Sequence, residues 1–170
     1  MSEIIKRQSR FPALSAGLLS GDHFQLAYAT TNIERSIAEF SDSLGITEFR
    51  RLEGPLDAGG HIHVELAWVG NIMFELLTAS GPGSEIYMGR LPSQGFAIRQ
   101  HHLGYLLYEQ QQWEALEAAA ARAGKPLLAD RDNPGFLRSC FVDAPELGHY
   151  LEYILPAPAG REFFENVPRN

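Results

Sequence analysis

Cysteine is almost absent from this chain: one residue, Cys140, among 170. It can form no internal disulfide and has no partner for a cysteine-rich metal centre, which fits a reducing, cytoplasmic setting. Long apolar runs are missing as well. None approaches the ~20 residues that cross a bilayer as a helix, so no membrane span is expected. Positive charge is sparse and scattered. The densest basic group is Lys6-Arg7 with Arg10, and the formal net charge is −7, so a nucleic-acid backbone finds no basic track to follow. The opening "KRQSRFPALSAGLLSG" has the order of a secretion signal, but Pro12, Ser15 and Gly17 break its apolar part. Residues 1–20 are therefore expected to be an N-terminal extension that packs on the domain or on a partner subunit.

What is present is a repeat. With 45% hydrophobic residues, the chain can build one compact domain or two modules that share a core. "HFQLAYATTNIERSIAEFSDSLG" (23–45) and "HLGYLLYEQQQWEALEAAAARAG" (102–124) each read as histidine, short apolar strand, polar break, helix and glycine. In the first helix Ile33, Ile37, Phe40 and Leu44 recur at helical spacing, with Thr31 or Asn32 as N-cap. In the second, Trp113, Leu116, Ala120 and Ala123 do the same. Gly45 and Gly124 stand where a left-handed residue ends a helix. Three candidate strands follow each glycine, and the last of each set carries a central glutamate: Glu75 in "FELL" and Glu152 in "YLEYIL". The expected fold is α+β, two βαβββ modules at about 21–80 and 99–156. Their strands form a cupped mixed sheet with helices on its outer face. Residues 157–170 form a C-terminal tail that docks on the domain.

Strand parity sorts the side chains. Taking the larger apolar face of each strand as the helix side puts His23, Glu75, His102 and Glu152 on the opposite side, and His101 with the helices. One strand histidine or glutamate carries little information. The same pair twice, in register with a repeated helix and glycine, points to a shared metal site. Two imidazoles and two carboxylates suit Zn, Ni, Co, Mn or Fe better than calcium. In "HIHVELAW" the apolar half should face the helices. That leaves His63 and Glu65 facing the cleft as candidate proton carriers. Met73, Leu106 and Tyr150 share faces with the ligands and are expected to shape a substrate pocket. Parity leaves the face of Cys140 open.

"HFQLAYATTNIERSIAEFSDSLGI", "WVGNIMFELL", "HHLGYLL" and "FVDAPELGHYLEYI" resemble the vicinal oxygen chelate superfamily. That superfamily includes glyoxalase I, methylmalonyl-CoA epimerase, extradiol dioxygenases and bleomycin-resistance proteins. The resemblance covers about residues 21–156 and is strongest to the epimerase-like and glyoxalase-like branch. It implies metal ligands at His23, Glu75, His102 and Glu152. It also implies a small-molecule substrate with two nearby oxygens, an enolate or enediolate stabilised at the metal, and a homodimer. Proton transfer would fall to Glu65, His63 or a ligand carboxylate such as Glu152. The expected activity is that of a metal-dependent isomerase, epimerase or lyase acting on a small 2-oxo, 2-hydroxy or thioester substrate. The alternatives are an Fe(II) extradiol oxygenase using His23 or His102 with Glu152, and a binding module without catalysis.

Overall fold

The computed structural model describes residues 17–170; most of the N-terminal extension lies outside them. The first module is β1 (Asp22–Thr30), α1 (Ile33–Leu44), β2 (Arg50–Pro55), β3 (His61–Val69) and β4 (Ile72–Ser80). A one-turn helix, α2 (Glu85–Met88), stands in the linker. The second module is β5 (Ile98–Leu106), α3 (Gln110–Arg122), β6 (Leu128–Asn133), β7 (Leu137–Ala144) and β8 (His149–Pro156). The tail adds α4 (Pro158–Glu165). No helix among these residues is long and apolar enough to cross a membrane.

All eight strands form one cupped mixed sheet in the order β2-β3-β4-β1-β5-β8-β7-β6. β1 runs parallel to β4 and β5 parallel to β8, while β1 and β5 pair antiparallel and join the modules. Read outward from that seam, the order is the same in both halves, as the repeat requires.

The helices begin and end where the sequence signals them. Asn32 Oδ1 accepts from the Arg35 amide at 2.8 Å, and Gly45 leaves α1 at φ 73°. α1 buries Ile33, Ser36 and Phe40 against Tyr28, Phe74 and Leu76, whereas Leu44 is exposed. α3 starts at a capping box between Glu109 and Gln112 and buries Trp113 and Leu116 over Tyr105, Leu151 and Tyr153. Cys140 is wholly buried in that layer, and burial pushes its thiol pKa up. Inert packing suits such a thiol.

Two β-bulges alter the expected faces. On the β1–β5 ladder His23 pairs with Tyr105 but Gln25 with Gly104, so Phe24 is an extra residue in β1. Ala27 pairs with His102 but Tyr28 with Gln100, so His101 is an extra residue in β5. Each insertion reverses the alternation beyond it. His23 therefore lies on the helix side against the Tyr105 ring, 5.3 Å between centroids, while Gln25, of the same parity, stays on the cup side. His101, expected among the helices, shares the cup side with His102.

β3 is reversed from the expectation as well. Ile62, Val64 and Leu66 line the cup, while His63 and Glu65 point away from it. The reason is the tail. α4 and the segment after it place Phe164 and Val167 on the cup side, where they pack with Phe24, Val64 and Leu66. Trp68 Nε1 donates to the Phe164 carbonyl at 2.9 Å. That end of the cup is thus an apolar core in its own right, and the apolar half of β3 belongs to it. The polar half holds a local cluster: Glu65 Oε1 accepts from Arg51 Nε at 2.9 Å and lies 2.7 Å from His63 Nε2.

Candidate metal centre

The four central strands, β4-β1-β5-β8, each send one polar side chain to the floor of the cup: Glu75, Gln25, His102 and Glu152. Each has under a tenth of its surface exposed, apart from the half-buried Glu152. His102 Nε2 lies 2.9 Å from Glu152 Oε2, 3.9 Å from Glu75 Oε2 and 3.3 Å from Gln25 Oε1. Gln25 Nε2 donates to Glu75 Oε2 at 2.6 Å. One ligand-type atom from each of Glu75, His102 and Glu152 falls within 4.8 Å of the other two. The backbone makes room for this. A Cβ on Gly104 would sit 2.5 Å from Gln25 Oε1 and 2.7 Å from Gln25 Cβ, so only glycine at 104 admits the glutamine.

The charges are strained in a way that a cation would relieve. Burial, with the nearby Glu152 carboxylate, raises the Glu75 pKa to about 7 against the opposing pull of His102 and Gln25. For His102, burial opposes the charged form, but the Glu152 and Glu75 carboxylates outweigh it and raise its pKa. No lysine or arginine of the described residues makes an ion pair with either carboxylate. Glu75, His102 and Glu152 could hold a metal ion, and the Gln25 carboxamide oxygen is placed to be a fourth donor. One imidazole with oxygen donors fits a first-row divalent ion.

The cluster opens into a cavity of about 510 Å³. Leu52, Ile62 and Val64 wall it from the first module, Phe141 and Ile154 from the second, Ile86 and Tyr87 from α2, and Phe164 from the tail. Arg131 is the one cationic side chain among the described lining residues. It sits at the rim, with Nε 3.2 Å from Asp57 Oδ1 across the mouth.

No protein-family model and no curated protein matches the chain by sequence. Solved structures do match. Methylmalonyl-CoA epimerase from Mycobacterium tuberculosis aligns at a TM-score of 0.60 with 18% identity, over 85% of this chain and 93% of that one. A methylmalonyl-CoA epimerase in complex with methylmalonyl-CoA and NH4+ aligns at 0.59 with 16% identity, over 82% and 96%. The Streptomyces coelicolor epimerase in complex with 2-nitronate-propionyl-CoA aligns at 0.58 with 16% identity, over 81% and 98%. The chain has the vicinal oxygen chelate fold.

Within that fold the residues expected from sequence divide clearly. Glu75, His102 and Glu152 come together. His23 does not join them: its Nε2 lies 3.2 Å from the Gln25 carbonyl oxygen on the far side of the sheet, and Gln25 stands where His23 was expected. His63 and Glu65 do not reach the cleft of this vicinal oxygen chelate cup. Met73, Leu106 and Tyr150 are on the cup side but do not line the cavity; Met73 and Leu106 pack in the apolar end, and Tyr150 packs against His101 and Phe141. A two-histidine, one-carboxylate triad, which the oxygenase alternative requires, is not assembled, because only His102 reaches the cluster. Gln25 was legible in one respect. "QLAY" at 25–28 parallels "HLGY" at 102–105, and fifty residues separate Gln25 from Glu75 just as fifty separate His102 from Glu152.

Proposed function

We propose that this protein is a divalent-metal-dependent epimerase or isomerase that removes and returns a proton beside the carbonyl of a small acyl thioester or a related 2-oxo or 2-hydroxy compound. The observation that carries this reading is the convergence of one buried and one half-buried carboxylate, one imidazole and one carboxamide on the floor of an apolar cavity. The same centre would serve a lyase that passes through an enolate.

Gln25, Glu75, His102 and Glu152 would hold the metal, which when bound supplies Lewis acidity at the substrate's carbonyl oxygen. The chain's own groups do the rest. Glu75 and Glu152 stand on the outer two of the four central strands and flank the floor of the cavity from opposite sides. One carboxylate takes the α-proton and the other returns one, which inverts the carbon. The walls of the cavity exclude water from the carbanion-like centre. Arg131 would bind an anionic group at the far end of the substrate. Neighbouring folds solved with methylmalonyl-CoA and 2-nitronate-propionyl-CoA support a thioester.

The test is isotope exchange. Protein loaded with Mn²⁺, Co²⁺ or Zn²⁺ is incubated in D₂O with methylmalonyl-CoA and with short 2-oxo and 2-hydroxy acyl compounds. Deuterium should enter the α-carbon of one class, and Glu75→Gln and Glu152→Gln should abolish it. No exchange in any class would overturn the proposal.

A further inference from the structure

We propose that His101 is a positioning residue that holds His102 in the one tautomer able to ligate a metal. The inference rests on the metal-centre reading and extends it beyond the ligands.

His101 is 2% exposed and does not line the cavity above the cluster. The bulge in β5 turns it to the cup side beside His102, and the two Nδ1 atoms lie 2.8 Å apart. Its other nitrogen, Nε2, lies 3.0 Å from the carbonyl oxygen of Ile86. Tyr87, Phe141 and Tyr150 enclose the ring, with centroids at 5.8, 5.6 and 5.1 Å.

Hydrogen-bond logic assigns the protons. The Ile86 carbonyl can only accept, so His101 Nε2 carries a hydrogen. The contact between the two Nδ1 atoms holds one more. Were it on His101, that ring would be a buried cation with no carboxylate partner, and with the Arg90 guanidinium 4.0 Å over the adjacent Tyr150 ring. The hydrogen therefore belongs to His102 Nδ1, and His101 Nδ1 accepts it. That leaves His102 Nε2, which faces Glu75, Glu152 and Gln25, as the nitrogen that offers a lone pair to a metal. The opposite arrangement would put the proton on Nε2 and block coordination. A metal-bound histidine ordinarily gives its second N–H to a carboxylate or backbone carbonyl. Here a neutral imidazole accepts it and passes the load to the backbone of α2. The same turn supplies Ile86 and Tyr87 to the cavity wall, so the wall and the ligand are joined through two hydrogen bonds.

The experiment compares His101→Leu with His101→Asn. Asn keeps an acceptor, Oδ1, near the position of Nδ1; Leu keeps volume only. Zn²⁺ and Co²⁺ affinities are measured by calorimetry, with the metal-free melting temperature as a control on folding. His101→Leu should weaken binding roughly 10–100-fold, and His101→Asn should recover most of the loss. Equal losses in the two variants, or no loss in His101→Leu, would overturn the proposal. An independent arm uses the unaltered chain. ¹⁵N imidazole spectra of the metal-free protein should show His102 Nδ1 protonated and coupled across the hydrogen bond to an unprotonated His101 Nδ1. The reverse assignment sinks the relay even if the variants fail to fold. A parent chain that binds no metal, but shows the expected tautomers, would instead count against the metal centre.

Discussion

Gln25 Nε2 donates to Glu75 Oε2 at 2.6 Å, across the parallel β1–β4 ladder that sets Ala27 beside Glu75. This bond leaves Gln25 Oε1 turned toward His102 Nε2. A carboxamide thus stands where an imidazole was expected. One extra residue, Phe24, turns His23 to the other face, while Gln25 keeps the side that strand alternation gives it.

Gln25→Ala should lower divalent-metal affinity on the order of tenfold or more, the scale seen when groups around a metal are removed. His23→Ala should leave that affinity unchanged, because its ring lies against Tyr105 on the other face. Calorimetric titration of both variants with Co²⁺ distinguishes them, and a larger effect at His23 would restore the parity assignment.

Gly104→Ala asks whether the close approach matters. The new methyl would meet Gln25 Cβ at 2.7 Å and Oε1 at 2.5 Å. Overpacking of this kind costs about 1–3 kcal/mol, and the cheapest relief is to push Gln25 aside. Urea denaturation should show that loss, and metal affinity should fall with it. A second substitution, Gln25→Ala, should recover stability without recovering affinity.

The repeat made much of this architecture legible. Asn32, Gly45 and the equal spacing of strand, helix and glycine place both modules, and Glu75, His102 and Glu152 follow from strand register. The bulges at Phe24 and His101 were not legible, because an inserted residue leaves the composition of a strand unchanged while reversing which side it shows. The polarity of β3 failed for a different reason. Its apolar face is covered by Phe164 and Val167, about a hundred residues later in the chain, and no local pattern announces so distant a partner.

Metal binding should weaken as pH falls, and the sign follows from two groups. The Glu75 pKa is raised from its ordinary 4.5 to about 7. Its contribution to metal-free stability is therefore fully present below 4.5 and is lost as pH rises through about 7. His102 is also raised, so it acts in the same direction above its free value. Both protons must leave when a metal binds, so apparent affinity should fall by up to about tenfold per pH unit for each proton displaced. Calorimetry in buffers of different ionisation enthalpy should show proton release at pH 6.5, shrinking by pH 8.5. Constant proton release across that range would contradict the assignment.

Glu65 should matter for stability and not for the centre. It is 4% exposed and bound by Arg51 and His63 on the side of β3 away from the cavity. Glu65→Gln leaves one of those partners poorly satisfied, at a cost of about 1–3 kcal/mol. Urea midpoints should fall accordingly, while metal affinity and any isotope exchange stay at the parent level. Loss of exchange in a fully folded Glu65→Gln protein would bring β3 back into the chemistry.

Arg131 at the cavity rim should hold the far end of a substrate. It lies on β6 opposite Ser139, and Ser139 in turn pairs with Ile154, one cup-facing step from Glu152. Two strand spacings and one such step put its backbone roughly 12 Å from that of Glu152. Its present partner, Asp57, is three-quarters exposed, and an exposed ion pair of this kind contributes only ~0–1 kcal/mol. An incoming phosphate can therefore displace Asp57 at little cost. Arg131→Gln should raise KM for a coenzyme A thioester roughly tenfold, the effect of about 1.4 kcal/mol, and leave kcat and stability nearly unchanged. With the N-acetylcysteamine thioester of the same acyl group, which has no phosphate, the variant and the parent should behave alike. An equal rise in KM for both thioesters would show that Arg131 shapes the mouth of the cavity without reading the anion.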